Sequence, residues 1–193
     1  MFEKLDLLDR HITLAINSVN CPASDAFWLF MSNRVVWYAL YIAFLALMFW
    51  RLGWKKALVM TAYIILCIVC VDQFANLIKD WACRLRPSHD PKMIEQGIRV
   101  LEGISENHCY GFYSAHAGNA FAFAVASIIA IKEDKRLKWR GYSIPIIIWA
   151  LLLSLSRIFV GKHYFGDVVV GIIVGVAVAL LLGIIAKKIT ARL

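Results

Sequence analysis

Residues 167–186 read DVVVGIIVGVAVALLLGIIA: one carboxylate followed by nineteen residues without a charge. As a helix this stretch rises ~30 Å, the thickness of a bilayer's hydrocarbon core. Similar apolar runs fall at about 35–50, 57–78, 116–131 and 143–160. Across the 193 residues, 61% are hydrophobic and only 18% charged, where a soluble domain carries about 25% charge. The sequence therefore predicts an all-α, polytopic membrane helical bundle of about five transmembrane helices in one domain, 1–193.

The first 34 residues read differently. Phe2, Leu5, Leu8, Ile12 and Ile16 recur at helical spacing among Glu3, Lys4, Asp6, Asp9 and Arg10. That pattern predicts an amphipathic helix lying in the membrane interface. The same charges argue against a cleavable signal peptide. Residues 24–32 (SDAFWLFMS) predict a second short helix, capped by Ser24 or Asp25.

Basic residues give the orientation. Arg51–Lys56 holds three, Lys132–Arg140 five and Lys187–Arg192 three, offset only by Glu133 and Asp134. With five spans all eleven fall on one side, which the positive-inside rule makes cytoplasmic. The net charge of +8 is thus a topology signal. No basic stripe with interleaved aromatics suggests a nucleic-acid partner.

Three fragments then gather on the opposite, outward side: KDWACRLRP (79–87), YSAH (113–116) and SRIFVGKHYFGD (156–167). They hold Lys79, Arg86 and Arg157 as cations, Ser114 as a hydroxyl, His116 and His163 as imidazoles, and the Asp167 carboxylate. Arg forks match phosphate oxygens and Lys adds a compact charge. Lys79 and Arg86, seven apart, are expected on one helical face that Pro87 stops. Ser114 stands where the third span's N-cap belongs, so its hydroxyl and the first free N–H groups form an anion cradle. His163 and Asp167, four apart, are expected as neighbours on a helical turn; the carboxylate then holds one imidazole nitrogen while the other attacks phosphorus. His116 supplies the acid for the leaving oxygen. This inventory suits cleavage of a phosphate ester, and in so apolar a chain the phosphate belongs to a lipid.

The fragments resemble the signature of the type-2 phosphatidic acid phosphatase superfamily, which also contains bacterial acid phosphatases, glucose-6-phosphatase and vanadium haloperoxidases. Its pattern is Lys-x6-Arg-Pro, Pro-Ser-Gly-His and Ser-Arg-x5-His-x3-Asp. The first and third parts are matched in full; in the second, Tyr113 stands for Pro and Ala115 for Gly. The resemblance spans residues 79–167. It implies His163 as the phosphate-accepting nucleophile, Asp167 as its orienting partner and His116 as the general acid. Lys79, Arg86, Ser114, Arg157 and the Ala115 N–H would bind the phosphoryl oxygens, with no metal or other cofactor. The implied activity is a membrane lipid phosphatase working through a phosphohistidine, its site facing the periplasm or exterior of a bacterial inner membrane. Undecaprenyl pyrophosphate and lipid A phosphate lead as substrates, ahead of phosphatidylglycerol phosphate and phosphatidic acid. A transferase passing the phosphate to an alcohol, and an anion transporter, are the rival readings.

Four further features carry expectations. Asp72, inside the second span, predicts a polar contact near Lys79. Cys83 and Cys109 flank the 80–115 loop and are expected as thiols rather than a disulfide. His89, Asp90, Glu95, Glu102 and His108 crowd that loop without metal-ligand spacing. Gly171 with Gly175, and Ala122, Ala126 and Ala130, predict close helix packing.

Overall fold

The computed structural model describes residues 2–19, 21–104, 109–136 and 139–193. The chain runs through α1 (Phe2–Asn17), α2 (Pro22–Ser32), a 3-10 turn (Arg34–Trp37), α3 (Tyr38–Leu52) and α4 (Trp54–Ala82). A 3-10 turn (Pro87–His89) and α5 (Pro91–Glu95) follow, then α6 (Ala115–Ile131), α7 (Trp139–Phe159) and α8 (Phe165–Thr190). Among the described residues, four stretches are long and apolar enough to cross a membrane: Arg34–Leu52, Trp54–Ala82, Arg140–Phe159 and Phe165–Thr190. The fifth expected span, α6, is shorter at 17 residues, ~25 Å of rise, and sits in the middle of the bundle. It packs on α4, α7 and α8, with Ala117, Ala122, Ala124, Ala126 and Ala130 fully buried. The protein is an integral membrane protein of helical-bundle architecture.

Small side chains let α6 and α8 meet backbone to backbone. A Cβ on Gly175 would lie 2.1 Å from the Gly118 carbonyl oxygen, and one on Gly171 2.4 Å from that of Ser114. These helices therefore bear out the small-residue pattern. Lipid-facing side chains follow the bilayer: Trp54 and Trp81, both widely exposed, stand ~40 Å apart on α4, about the bilayer thickness with head groups.

At the basic end, Asp134 accepts from Arg51 Nε at 2.8 Å and from Arg136 Nε at 2.9 Å, and Arg136 first, then Arg51, hold its carboxyl down at about 2. Thr190 Oγ1 donates to Glu133 at 3.0 Å. The loop between α6 and α7 is thereby tied to α3 and α8.

The N-terminal helix forms where expected, with its faces turned about. Thr13 and Asn17 are buried, while Leu5, Leu7 and Leu8 are exposed. The polar stripe docks on α7 and α8, which leaves the leucines free for lipid. Asn17 Nδ2 donates to the carbonyls of Arg99, Ile158 and Phe159, each at 3.0 Å. The cap of α2 also differs from expectation. Cys21 is the N-cap, its Sγ accepting from the Ser24 N–H at 3.4 Å, because Pro22 takes the first helical position.

Gly175→Ala should destabilise the bundle by about 1–3 kcal/mol through overpacking, read as a lowered thermal midpoint in detergent. Gly141→Ala, with nothing within 4 Å of the added methyl, should leave the midpoint in place. Equal midpoints would show that α6 and α8 do not approach so closely.

Candidate active site

All three fragments meet at the end of the bundle opposite the Arg51–Asp134 tie. The first arrives by a route other than a continuous helix. α4 stops at Ala82, where Cys83 takes a left-handed conformation with φ 47°, so Lys79 lies on the helix and Arg86 does not. Arg86 sits on an extended segment bridged to the far side of the loop. Its N–H donates to the Cys109 carbonyl at 2.8 Å, and the Gly111 N–H donates to that of Arg84 at 2.8 Å. Pro87 opens the following 3-10 turn instead of ending α4. Lys79 and Arg86 still share one cavity, of ≈ 660 Å³, with Arg34, Asp72 and Ala115 on its wall.

The second fragment opens α6. Ser114 is the N-cap, fully buried, its hydroxyl accepting from the Ala117 N–H at a long 3.5 Å. Its own N–H is taken by the Asp167 carbonyl at 3.0 Å, leaving the Ala115 and His116 amides in the open first turn. Ala115 is already helical, so a methyl at that position is accommodated. Tyr113, where the signature has Pro, is buried and donates its hydroxyl to the Val71 carbonyl at 3.0 Å.

The third fragment is shaped by the end of α7. Gly161 adopts φ +78°, and a Cβ there would lie 2.3 Å from the Arg99 carbonyl oxygen. The N–H groups of Lys162 and His163 fold back onto the Arg157 carbonyl at 3.0 and 3.2 Å. The five-residue gap in Arg157-x5-His163 is this reversal. His163 precedes α8 rather than lying on it. Tyr164 is the N-cap, and Asp167, three residues on, accepts the Tyr164 N–H at 3.1 Å. His163 Nδ1 lies 3.4 Å from Asp167 Oδ2, outside hydrogen-bond geometry; the pair is an electrostatic contact made at a helix cap. Burial pushes the His163 imidazole down to about 4, against the upward pull of Asp167 and with a further push from Arg157 and Arg86.

Arg86, His116 and Arg157 line a cavity of ≈ 610 Å³ together with Leu29, Ser32, Asn33, Arg34, Glu102 and Lys162. Ser114 and His163 contribute nothing to its wall and are buried. Four charged residues here fall outside the spaced positions of the three fragments. Arg34 Nε donates to His116 Nε2 at 2.8 Å, so that nitrogen carries the lone pair. Glu102 faces Arg157 Nη1 at 3.3 Å, with Ser32 hydrogen-bonded to both. Lys162 Nζ donates to the Gly103 carbonyl at 2.7 Å. Arg84, inside the six-residue gap, donates to Asp167 Oδ1 at 2.7 Å. A buried carboxylate four residues past a histidine calls for a cation; that is the one signal that marks Arg84 in the sequence.

The remaining expectations resolve as local contacts. Asp72 accepts from Asn119 Nδ2 at 2.8 Å, joining α4 to α6. Cys83 and Cys109 are free thiols. Asp90 accepts from the Tyr164 hydroxyl at 2.7 Å and pairs with Arg10 at 2.6 Å, while Ser88 Oγ and His89 Nδ1 lie 3.0 Å apart. His108 lies outside the described residues.

Comparison with known proteins shows the family. The model of the PAP2 superfamily matches residues 57–190. A lipid A 4'-phosphatase of Bacteroides thetaiotaomicron is 33% identical, over 100% of this chain and 83% of its own length. One of Porphyromonas gingivalis is 30% identical over 89% and 70%. Among solved structures, a transmembrane PAP2 type phosphatidylglycerolphosphate phosphatase from Bacillus subtilis superposes with TM-score 0.76 at 21% identity, covering 96% of this chain and 88% of that one. Aquifex aeolicus LpxE gives 0.62 at 21%, covering 92% and 93%. With its family model spanning two of every three residues and its signature side chains gathered at one end of the bundle, the chain belongs to the PAP2 superfamily and is a membrane lipid phosphatase of that type.

Proposed function

We propose that this protein hydrolyses a phosphate group from lipid A through a phosphohistidine, at a site facing away from the basic, cytoplasmic end. The observation that carries the reading is the convergence of Lys79, Arg86, His116 and Arg157 on adjoining cavities at the bundle end where His163 contacts Asp167. The lipid A 4'-phosphatase relatives favour lipid A over undecaprenyl pyrophosphate. The polar ≈ 610 Å³ cavity is large enough for part of a sugar head group.

In this reading Lys79, Arg86 and Arg157 neutralise the phosphoryl oxygens, helped by the Ala115 N–H and the Ser114 hydroxyl at the N-terminus of α6. The His163 lone pair bonds to phosphorus as the P–O bond to the lipid breaks, and His116 delivers a proton to the departing oxygen. Water, deprotonated by His116, then displaces His163 and releases phosphate. The incoming phosphate must first draw Arg34 off His116 Nε2, which frees that nitrogen to take up from solvent the proton it then delivers. The described chemistry needs no metal. Residues 1–34 and the 79–167 motifs act as one unit, since α1 and α2 pack on the helices that carry the motifs.

The primary test is phosphate release by detergent-purified protein in EDTA, offered lipid A, undecaprenyl pyrophosphate, phosphatidylglycerol phosphate and phosphatidic acid. Lipid A should be the preferred substrate, and His163→Ala should lose at least about 10³-fold in kcat. Release that survives in the variant would refute the nucleophile, and preference for another lipid would refute the substrate.

The pH dependence has a definite sign. His163 sits below its ordinary ~6.5, so the neutral, attacking form persists into acid. On the acid side, kcat/KM should hold below pH 6 and fall only as pH drops through about 4. An acid limb near 6.5 would show an exposed, unperturbed imidazole.

Glu102 sits where an anion would approach Arg157. Glu102→Gln should therefore lower the orthovanadate concentration for half-inhibition about fivefold. Unchanged inhibition would place vanadate away from Arg157.

A further inference from the structure

Arg84 joins the His163–Asp167 pair to the N-terminal helix. Its Nη1 donates to Asp167 Oδ1 at 2.7 Å. Its Nη2 donates to Asp9 Oδ2 at 2.7 Å and to Asp6 Oδ1 at 3.2 Å. The guanidinium lies 4.1 Å above the Tyr164 ring, which blocks other orientations.

The same α1 residues finish the first turn of α8. The Gly166 N–H donates to Asp9 Oδ1 at 2.7 Å, and the Phe165 N–H to Thr13 Oγ1 at 3.0 Å. A helix leaves its first amides without intrahelical partners, and here a different helix supplies them. Position 166 has no room for a side chain, since a Cβ would lie 2.8 Å from Asp9 Oδ2. Asp167 has zero exposure, its two oxygens divided between Arg84 on one side and the Tyr164 N–H and His163 on the other.

We propose that Arg84, anchored by Asp9 of α1, is a positioning residue that fixes the direction of Asp167 and moderates its charge toward His163. The inference rests on the nucleophile reading above. A carboxylate facing an imidazole at full strength favours its protonation, which removes the attacking lone pair. A guanidinium on the far oxygen offsets part of that charge and leaves the carboxylate ionised to support the phosphorylated imidazole. The charged and titratable groups around His163 are Asp167 on α8, Arg157 on α7, His116 on α6, and Arg86 and Arg84 from the 83–114 segment. Asp6 and Asp9 of α1 stand behind Arg84, with Tyr164 alongside, and Lys79 on α4 feels Asp167.

Two variants give opposite signs. Arg84→Met removes a positive charge beside Asp167, so the His163 titration midpoint should rise by about 0.5 or more. Asp9→Asn keeps an acceptor for the Gly166 N–H and strips a negative charge from Arg84, so the midpoint should fall. Arg84→Lys should stay near the parent. The midpoints are read by imidazole NMR of the full chain in lipid nanodiscs. His163 is identified among the five histidines by the resonance lost in His163→Gln. In parallel, Arg84→Met should lower kcat about tenfold while KM stays within about twofold. Midpoints that stay put, or move the same way in both charge-removing variants, overturn the proposal and leave Arg84 a structural tie. Should Arg84→Met fail to fold, the direction of the Asp9→Asn shift decides alone. Absence of phosphate release from the parent protein would defeat the hydrolase reading by itself, while the midpoints would still decide the coupling.

Discussion

The contact between the backbones of α6 and α8 is what the rest of the molecule depends on. Gly171 and Gly175 lie against the Ser114 and Gly118 carbonyls at distances that exclude a methyl group. Helices in a membrane gain little from apolar burial against each other, because lipid tails are equally apolar; close packing and polar contacts do the work. Here close packing brings the outer ends of both helices into register. The Ser114 N–H then reaches the Asp167 carbonyl, so the cap of α6 and the first turn of α8 form one rigid corner. His116 and His163 stand on its two sides.

The second constraint is charge in a poorly solvated place. Arg157, His163 and Asp167 are all buried, and an unpaired buried ion costs several kcal/mol. The fold answers with partners outside the spaced signature positions: Glu102 and Ser32 for Arg157, Arg84 for Asp167, and Asp6 and Asp9 for Arg84. Desolvation pushes the Arg86 guanidinium down, while Arg84, desolvated too, is held up by Asp167 and Asp9. Arg84 is saturated with carboxylates; among the described residues, the Arg86 guanidinium donates from its Nε to the Tyr110 carbonyl alone. The cation with unspent capacity is the one that faces the cavity.

This charge chain also explains the N-terminal helix. Its apolar residues suggest a helix resting on lipid, and Leu5 and Leu8 do face outward. Its polar residues have the larger task. Asp9 and Thr13 occupy the open amides of α8, Asn17 collects two carbonyls at the end of α7 and that of Arg99, and Arg10 reaches Asp90. An amphipathic pattern states that two faces differ; it does not state which one meets protein.

Much of the fold was legible in the residues because hydrophobic length and helix period are local properties. The runs at 35–50, 57–78, 116–131, 143–160 and 167–186 lie within or close to α3, α4, α6, α7 and α8. The gathering of Lys79, Arg86, His116, Arg157 and His163 followed from counting spans. The sequence could not show that α4 ends at Ala82, that Arg86 follows an extended bridge between Leu85 and Tyr110, or that His163 meets Asp167 across a helix cap. Spacing alone fits a helical turn as well as a capped one, and the choice rests on what the amides of α8 can bond to. Arg34, Arg84, Glu102 and Lys162 stayed hidden for the same reason. Composition, periodicity and span counting decide that this chain crosses a membrane as helices with a set of cations and imidazoles at one end. Only the packed structure decides which charges neutralise one another there, because burial energy depends on partners brought together from 55 to 83 residues apart.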